Sequence, residues 1–153
     1  MKIALFPGSF DPITIAHVDI LSRALPLFDK VVVGIGLNSS KQGFLSSEKR
    51  HEIVKAVFAS SPQVEVHLYE GLTIDFARKQ QASYIIRGIR SVADFEYERA
   101  IAQINQTMMP EIESIFILSK PQYSAISSTI VRDILRNEGD VSQFLPKEAM
   151  ALL

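Results

Sequence analysis

Four apolar residues, Ile3-Ala4-Leu5-Phe6, run directly into Pro7-Gly8-Ser9, and a histidine follows in Thr14-Ile15-Ala16-His17. A strand, a tight turn and a helix opening form the layout that turns backbone N–H groups and a helix N-terminus toward a phosphate. A histidine in the first turn of that helix is expected to face the same phosphate rather than to serve as an ordinary helix position.

The rest of the chain repeats the alternation. Val31-Val32-Val33-Gly34-Ile35 is a β-branched run of the kind buried on both faces of a sheet. Val64 to Leu68, Tyr84 to Ile86 and Ile115 to Leu118 read as further strands. Between them lie helical stripes: Val18, Leu21, Leu25 and Phe28; then Ile53, Val54, Val57 and Phe58 after the cap candidates Ser46 and Ser47. Phe95, Ile101, Ala102 and Ile104 mark a third helix, and Ile130, Val131, Ile134 and Leu135 a fourth. Strands alternating with helices imply right-handed crossovers and a parallel sheet. The expected fold is therefore α/β: a Rossmann-like, doubly wound parallel sheet of five strands with helices on both faces. One domain over residues 1–153 is expected. Residues 139–153, with Pro146 opening a short helix, serve as a closing element.

Composition removes several function classes. A formal net charge of −1 gives no electrostatic footprint for nucleic acid or a membrane surface. The absence of cysteine excludes disulfides and thiolate zinc sites. No apolar run approaches the roughly 20 residues a bilayer requires, and the first apolar run is broken at Pro7, unlike a signal peptide. Cytoplasmic localisation is the expectation.

Ligands of such sheets lie beyond the carboxyl ends of the strands. After the first come Gly8, Ser9, Phe10 and His17, and after the second Asn38, Ser39, Ser40 and Lys41. After the fourth come Arg87-Gly88-Ile89-Arg90, and after the fifth Ser124-Ala125-Ile126-Ser127-Ser128-Thr129. Convergence of four such ends outweighs any single motif. One serine satisfies an N-cap, so three successive hydroxyls at Ser127-Ser128-Thr129 point to anion binding at a helix start. Arg87 and Arg90 could be two surface arginines on a loop, but around Gly88, which admits close backbone approach, they read as a phosphate clamp. Asp94, Glu96 and Glu98 read mostly as a solvated helix face, with Asp94 and Glu98 on one side of it. Asp11-Pro12 reads as a turn, and His51 and His67 as ordinary helix and strand positions. No histidine pair has metal-ligand spacing, and neither G-x-x-x-x-G-K-[ST] nor G-x-G-x-x-G occurs.

Phe6-Pro7-Gly8-Ser9-Phe10-Asp11-Pro12 with Thr14-Ile15-Ala16-His17, and Ile126-Ser127-Ser128-Thr129, resemble the two signatures of the nucleotidyltransferase superfamily. The stretch Ile86 to Glu98, Met109-Pro110-Glu111 and Gly139 to Pro146 narrow the likeness to bacterial phosphopantetheine adenylyltransferases, over essentially the whole chain. That resemblance implies adenylyl transfer from ATP to 4′-phosphopantetheine, giving dephospho-coenzyme A and pyrophosphate. It implies that His17 stabilises the transition state and that Lys41 and Arg90 assist. ATP would meet Ser9, Phe10, His17, Gly88, Ile89, Arg90, Glu98 and the stretch Tyr123, Ser124, Ala125, Ile126, Ser127, Ser128 and Thr129. Phosphopantetheine would meet Ser9, Lys41, Thr73 and Arg87. It further implies Mg²⁺ held by ATP phosphates and water rather than by protein side chains, a homohexamer, and restraint by coenzyme A.

One position departs from the family pattern: Ala16 stands where a glycine precedes the histidine. An added methyl either crowds the nucleotide or simply improves the helix. The competing readings are another nucleotidyltransferase acting on nicotinamide mononucleotide or a polyol phosphate, a non-catalytic nucleotide sensor, and a fragment of a class I aminoacyl-tRNA synthetase. The stretch Arg87 to Glu98, the full set of cationic residues, and the lack of a basic surface argue against each in turn.

Overall fold

The computed structural model describes residues 1–153. Five parallel strands, β1 (Ile3–Gly8), β2 (Lys30–Gly36), β3 (Val64–Tyr69), β4 (Tyr84–Ile89) and β5 (Glu113–Leu118), lie in the order β3-β2-β1-β4-β5. The winding reverses at β1. Strands β2 and β3 extend the sheet one way, β4 and β5 the other, so the switch point falls between β1 and β4.

The period-2 geometry of β1 divides the core. Ala4 and Phe6 join one apolar cluster with Val31, Val33, Ile35 and Ile86, under α1 (Ile15–Ala24), α2 (Ser47–Val57) and α5 (Ser128–Arg136). Ile3 and Leu5 face the opposite way, into a smaller cluster with Val32, Ile85 and residues Ile74, Phe76 and Ala77 of α3 (Thr73–Lys79). The doubly buried strand expected at 31–35 is present, with Val31, Val32, Val33 and Ile35 all at 0% exposure. The closing segment forms α6 (Lys147–Leu152) behind Pro146 and packs on α2.

Two helices differ from the sequence expectation. Helix α3 has no side-chain cap, its N-cap being Leu72, and is only seven residues long, so no start signal announces it. Helix α4 (Val92–Met108) contains the residues expected to mark the third helix, yet its apolar residues do not enter the core. Phe95 is 40% exposed, Ile101 38% and Ile104 62%, while the one buried residue of the helix is Glu98. The acidic side chain turns inward because a cation waits beneath it.

Candidate active site

The β1–β4 ladder contains only Ala4↔Tyr84 and Leu5↔Ile85, whereas β1 and β2 pair along all six residues of β1. Beyond Leu5 and Ile85 the two central strands part. Pro7 cannot donate to a ladder, and its carbonyl instead accepts from Arg87 Nη1 at 2.7 Å. The gap continues into a cleft of about 1030 Å³, mouth included, walled by Pro7, Gly8, Ser9, His17, Arg87, Gly88, Arg90 and the Ile126–Thr129 segment. A smaller hollow, about 130 Å³ within its walls, adjoins it through Pro7, Arg87 and Glu98 and reaches Thr73, Asn105 and Phe116.

His17 is fixed by the start of its own helix. Thr14 is the N-cap of α1 and His17 its third residue, and the pair forms a reciprocal capping box. Thr14 N–H donates to His17 Nδ1 at 3.0 Å, while the Thr14 hydroxyl lies 3.1 Å from the same nitrogen. Nδ1 is therefore the acceptor, and the tautomer this assigns carries its proton on Nε2, toward the cleft. Phe10 packs on the ring at 5.1 Å, and on Phe6 at 5.6 Å. Burial, then the charges of Arg87 and Arg90, lower the imidazole pKa to about 4. The ring is part-buried, with one edge open to the cleft, and it stands there neutral, as a hydrogen-bond donor.

The loop between β1 and α1 is held from outside. Arg132 Nη1 donates to Asp11 O at 2.9 Å and Ser128 Oγ to Pro12 O at 2.8 Å. Phe10 adopts φ +47°, a left-handed conformation that costs on the order of 1–3 kcal/mol and is offset by complete burial of its ring. A Cβ on Gly8 would stand 3.0 Å from that ring, so a larger residue there would have to displace Phe10.

Arg87 lies within β4, not on a loop after it. Its Nε and Nη2 donate to Glu98 at 3.0 and 2.7 Å, a bidentate pair. Glu98 is thus not part of a solvated face; it is 8% exposed and fixes Arg87 across the cleft floor. Asp94 does the same more loosely for Arg90, at 3.2 Å. Gly88 also has a different reason from the one its flanking arginines suggest: a Cβ there would press within 3.2 Å of Ile20 Cγ1, so the glycine lets α1 lie close on β4.

The hydroxyls at the α5 start have partners within the protein. Ser127 caps the helix through Ile130 N at 3.2 Å, Ser128 reaches Pro12 O, and Thr129 Oγ1 accepts from Arg132 at 3.2 Å. Capping and bracing account for these side chains, and with Ile130 N–H taken by the cap the N–H groups of Ser128 and Thr129 are the ones left over at this end of α5. Among the other expected residues, Ile89 and Phe10 are buried behind the walls. Tyr123, Ser124 and Ala125 lie just before the wall segment, in and after a 3-10 turn at Pro121–Tyr123. Lys41 is exposed on the β2–α2 loop, beside a separate hollow with Arg50 and Glu70 rather than in the cleft. Thr73 bounds the adjoining hollow, its hydroxyl 2.8 Å from Tyr69 Oη.

Sequence reasoning passed over Thr14 and Arg132. The Thr14–His17 spacing is a capping-box spacing with histidine in place of glutamate, and Arg132 lies four residues after Ser128, on the same helix face; both signals were in the pattern.

A cytidylyltransferase-like family model matches residues 5–134. A phosphopantetheine adenylyltransferase of Flavobacterium johnsoniae is 49% identical over 95% of this chain and 95% of its own length. One from Phocaeicola vulgatus is 49% identical over 96% and 97%, and one from Levilactobacillus brevis 42% over 95% and 91%. A solved structure from Vibrio parahaemolyticus, described provisionally as a nicotinate-nucleotide adenylyltransferase, superposes with a TM-score of 0.75 at 21% identity, covering 99% of both chains. At that identity the likeness is one of fold. The chain belongs to the phosphopantetheine adenylyltransferase family, within the cytidylyltransferase-like nucleotidyltransferases.

Proposed function

We propose that the chain catalyses reversible transfer of the adenylyl group from ATP to 4′-phosphopantetheine, giving dephospho-coenzyme A and pyrophosphate. The observation that carries this reading is one cleft, at the switch point, holding His17 Nε2, the free edges of Arg87 and Arg90, and the α5 N-terminus. A guanidinium has five N–H donors, and three of Arg87's are used within the protein. The remaining two suit an acceptor phosphate.

In this reading an acceptor phosphate oxygen attacks the α-phosphorus, a new P–O bond forms, and the bond to the bridging oxygen breaks to release pyrophosphate. A phosphomonoester is already a nucleophile near neutral pH, so no general base is needed. His17 donates from Nε2 to the α-phosphoryl oxygen as charge grows there. Arg90 and the first turn of α5, from Ser127 to Thr129, take the β- and γ-phosphates. Ser9, Gly88 and the stretch Tyr123 to Ile126 border the nucleotide, with Phe10, Ile89 and Glu98 backing that wall from behind. Ser9, Arg87 and Lys41 take the acceptor phosphate, Lys41 by extending its exposed side chain from the β2–α2 loop, and the pantetheine arm follows the hollow to Thr73.

The family uses ATP with a divalent metal, for which we propose Mg²⁺. Asp94 and Glu98, the carboxylates on the cleft wall, are both engaged by arginine. That donor set suits a metal arriving on nucleotide phosphates and water, where it would neutralise phosphate charge. Coenzyme A carries the same arm and would compete for the same hollow. No helix is long and apolar enough to cross a membrane, and a cytoplasmic setting follows from the proposed substrates. The exposed apolar side of α4 supports a homo-oligomer, for which we propose the hexamer.

Pyrophosphate release from ATP tests the reaction, with 4′-phosphopantetheine and nicotinamide mononucleotide as separate acceptors. Release with phosphopantetheine alone is expected; release only with the mononucleotide overturns the acceptor assignment.

A further inference from the structure

Arg50, on the first turns of α2, is 7% exposed and takes part in none of the protein's ion pairs. Its Nη1 donates to Ser9 O at 3.0 Å, and its buried Nε has no partner at all. A buried guanidinium without a carboxylate is costly, and such costs persist where geometry is worth fixing. Asp11 is equally buried, at 7%, and reaches the other way. Its two carboxylate oxygens accept from Phe44 N and Leu45 N, each at 2.8 Å.

The two contacts join the same pair of segments. Asp11 extends from the loop that carries Ser9 to the loop that carries Lys41, and Arg50 extends from the first turn of α2, which follows that second loop, back to Ser9. Gly43 sits at the junction: a Cβ there would lie 2.9 Å from Leu45 O, 3.0 Å from Asp11 Oδ2 and 3.5 Å from Arg50 Nη2. The junction has no room for slack.

We propose that Arg50 and Asp11 are positioning residues for the acceptor phosphate, latching the Lys41 loop onto the Ser9 loop. The latch sets the distance over which Ser9 and Lys41 grip one phosphate. It rests on the functional reading above, and it assigns to the α2 arginine a role in acceptor recognition rather than in nucleotide binding.

The test compares wild type, Arg50→Gln, Arg50→Lys, Lys41→Ala and the Arg50→Gln/Lys41→Ala double variant. Arg50→Gln is expected to raise the KM for phosphopantetheine roughly ten- to a hundredfold with the KM for ATP within about twofold. In the Lys41→Ala background the same change is expected to add little. Equal changes in both KM values, or full additivity, overturn the proposal. Should Arg50→Gln fail to fold, Arg50→Lys, which keeps the charge but loses the fork, carries the same comparison. Amide exchange at Phe44 and Leu45 reads the latch without activity: faster exchange in Arg50→Gln and in Asp11→Asn is expected, and wild-type exchange in Arg50→Gln overturns it. A wild-type chain that releases no pyrophosphate with phosphopantetheine rejects the functional reading instead, and the exchange result still decides the latch.

Discussion

Thr14 and His17 hold one another at the start of α1. The threonine backbone N–H donates to His17 Nδ1 at 3.0 Å, and the threonine hydroxyl accepts from His17 N at 3.4 Å. The device that caps the helix is the same one that orients the donor, so the imidazole needs no further partner to aim Nε2 at a phosphoryl oxygen. His17→Ala is expected to keep the fold by circular dichroism and to lower kcat by about 10²–10³-fold, the loss typical of one transition-state donor. Turnover near the wild-type value would remove His17 from the mechanism.

The protonation state of that ring gives a pH prediction. With a folded pKa of about 4 against 6.5 unfolded, His17 binds fewer protons in the native state than in the unfolded chain between those values. Its contribution favours the native state fully above pH 6.5 and is lost as pH falls toward 4. Two measurements follow. The imidazole resonance of His17 in the free protein should titrate near pH 4, not 6.5. The acid-side loss of thermal stability between pH 6.5 and 4 should be shallower in His17→Gln than in wild type. A titration at the ordinary histidine value contradicts the burial argument.

Glu98 and Arg87 form the next test. Glu98→Gln keeps the shape of the side chain but removes the charge that holds the guanidinium. Breaking a fully buried pair costs about 3–5 kcal/mol. Arg87 is 34% exposed, so we expect about 1–2 kcal/mol here, read as a drop in Tm of a few degrees. We also expect a higher KM for phosphopantetheine with that for ATP little changed. An increase confined to ATP would make Glu98 a nucleotide contact rather than a support for Arg87.

These residues also mark how far the sequence could be read. The strands were legible because β-branched runs such as Val31 to Val33 announce themselves, and the carboxyl-end rule then names the loops that can meet; the strand order, and with it the switch point between β1 and β4, was not. Glu98 was not, because its partner lies eleven residues away on a strand, and an acidic residue on a helix reads as solvated until the strand beneath is known. Gly88 shows the reverse: its place beside two arginines suggested ligand approach, whereas its neighbour is Ile20, a contact no local pattern encodes. The three hydroxyls at 127–129 were read as a surplus because the carbonyl of Pro12 that occupies Ser128 is distant in sequence. The Arg50 and Asp11 contacts span 41, 33 and 34 residues and are equally invisible to local pattern.

Ala16 lines the cleft one residue before His17 and is 9% exposed. Its methyl is part of the wall to which the proposed function assigns the nucleotide, so Ala16→Gly is expected to change the KM for ATP more than kcat. A glycine in a helix interior costs about 0.8–1.0 kcal/mol, and the first turn should show that or less in Tm. An unchanged KM for ATP would show that the methyl serves the helix alone.

The outer face of α4 supports a last prediction. Tyr97, Ile101, Ile104 and Met108 recur at i, i+4, i+7 and i+11 along α4 and are 69%, 38%, 62% and 50% exposed. A helix with its largest apolar residues in water signals a partner surface. Surface substitutions that meet no partner change stability by about 0.5 kcal/mol or less, so in an isolated protomer Ile104→Glu should be nearly silent. If copies of this chain pack on that face, the buried glutamate carries a desolvation penalty at each interface. The variant should then sediment as a smaller species while keeping its fold. Sedimentation velocity of wild type and Ile104→Glu reads both at once. Identical, larger-than-monomer species would place the interface elsewhere, and a monomeric wild type would leave the α4 face without a copy of this chain to cover it.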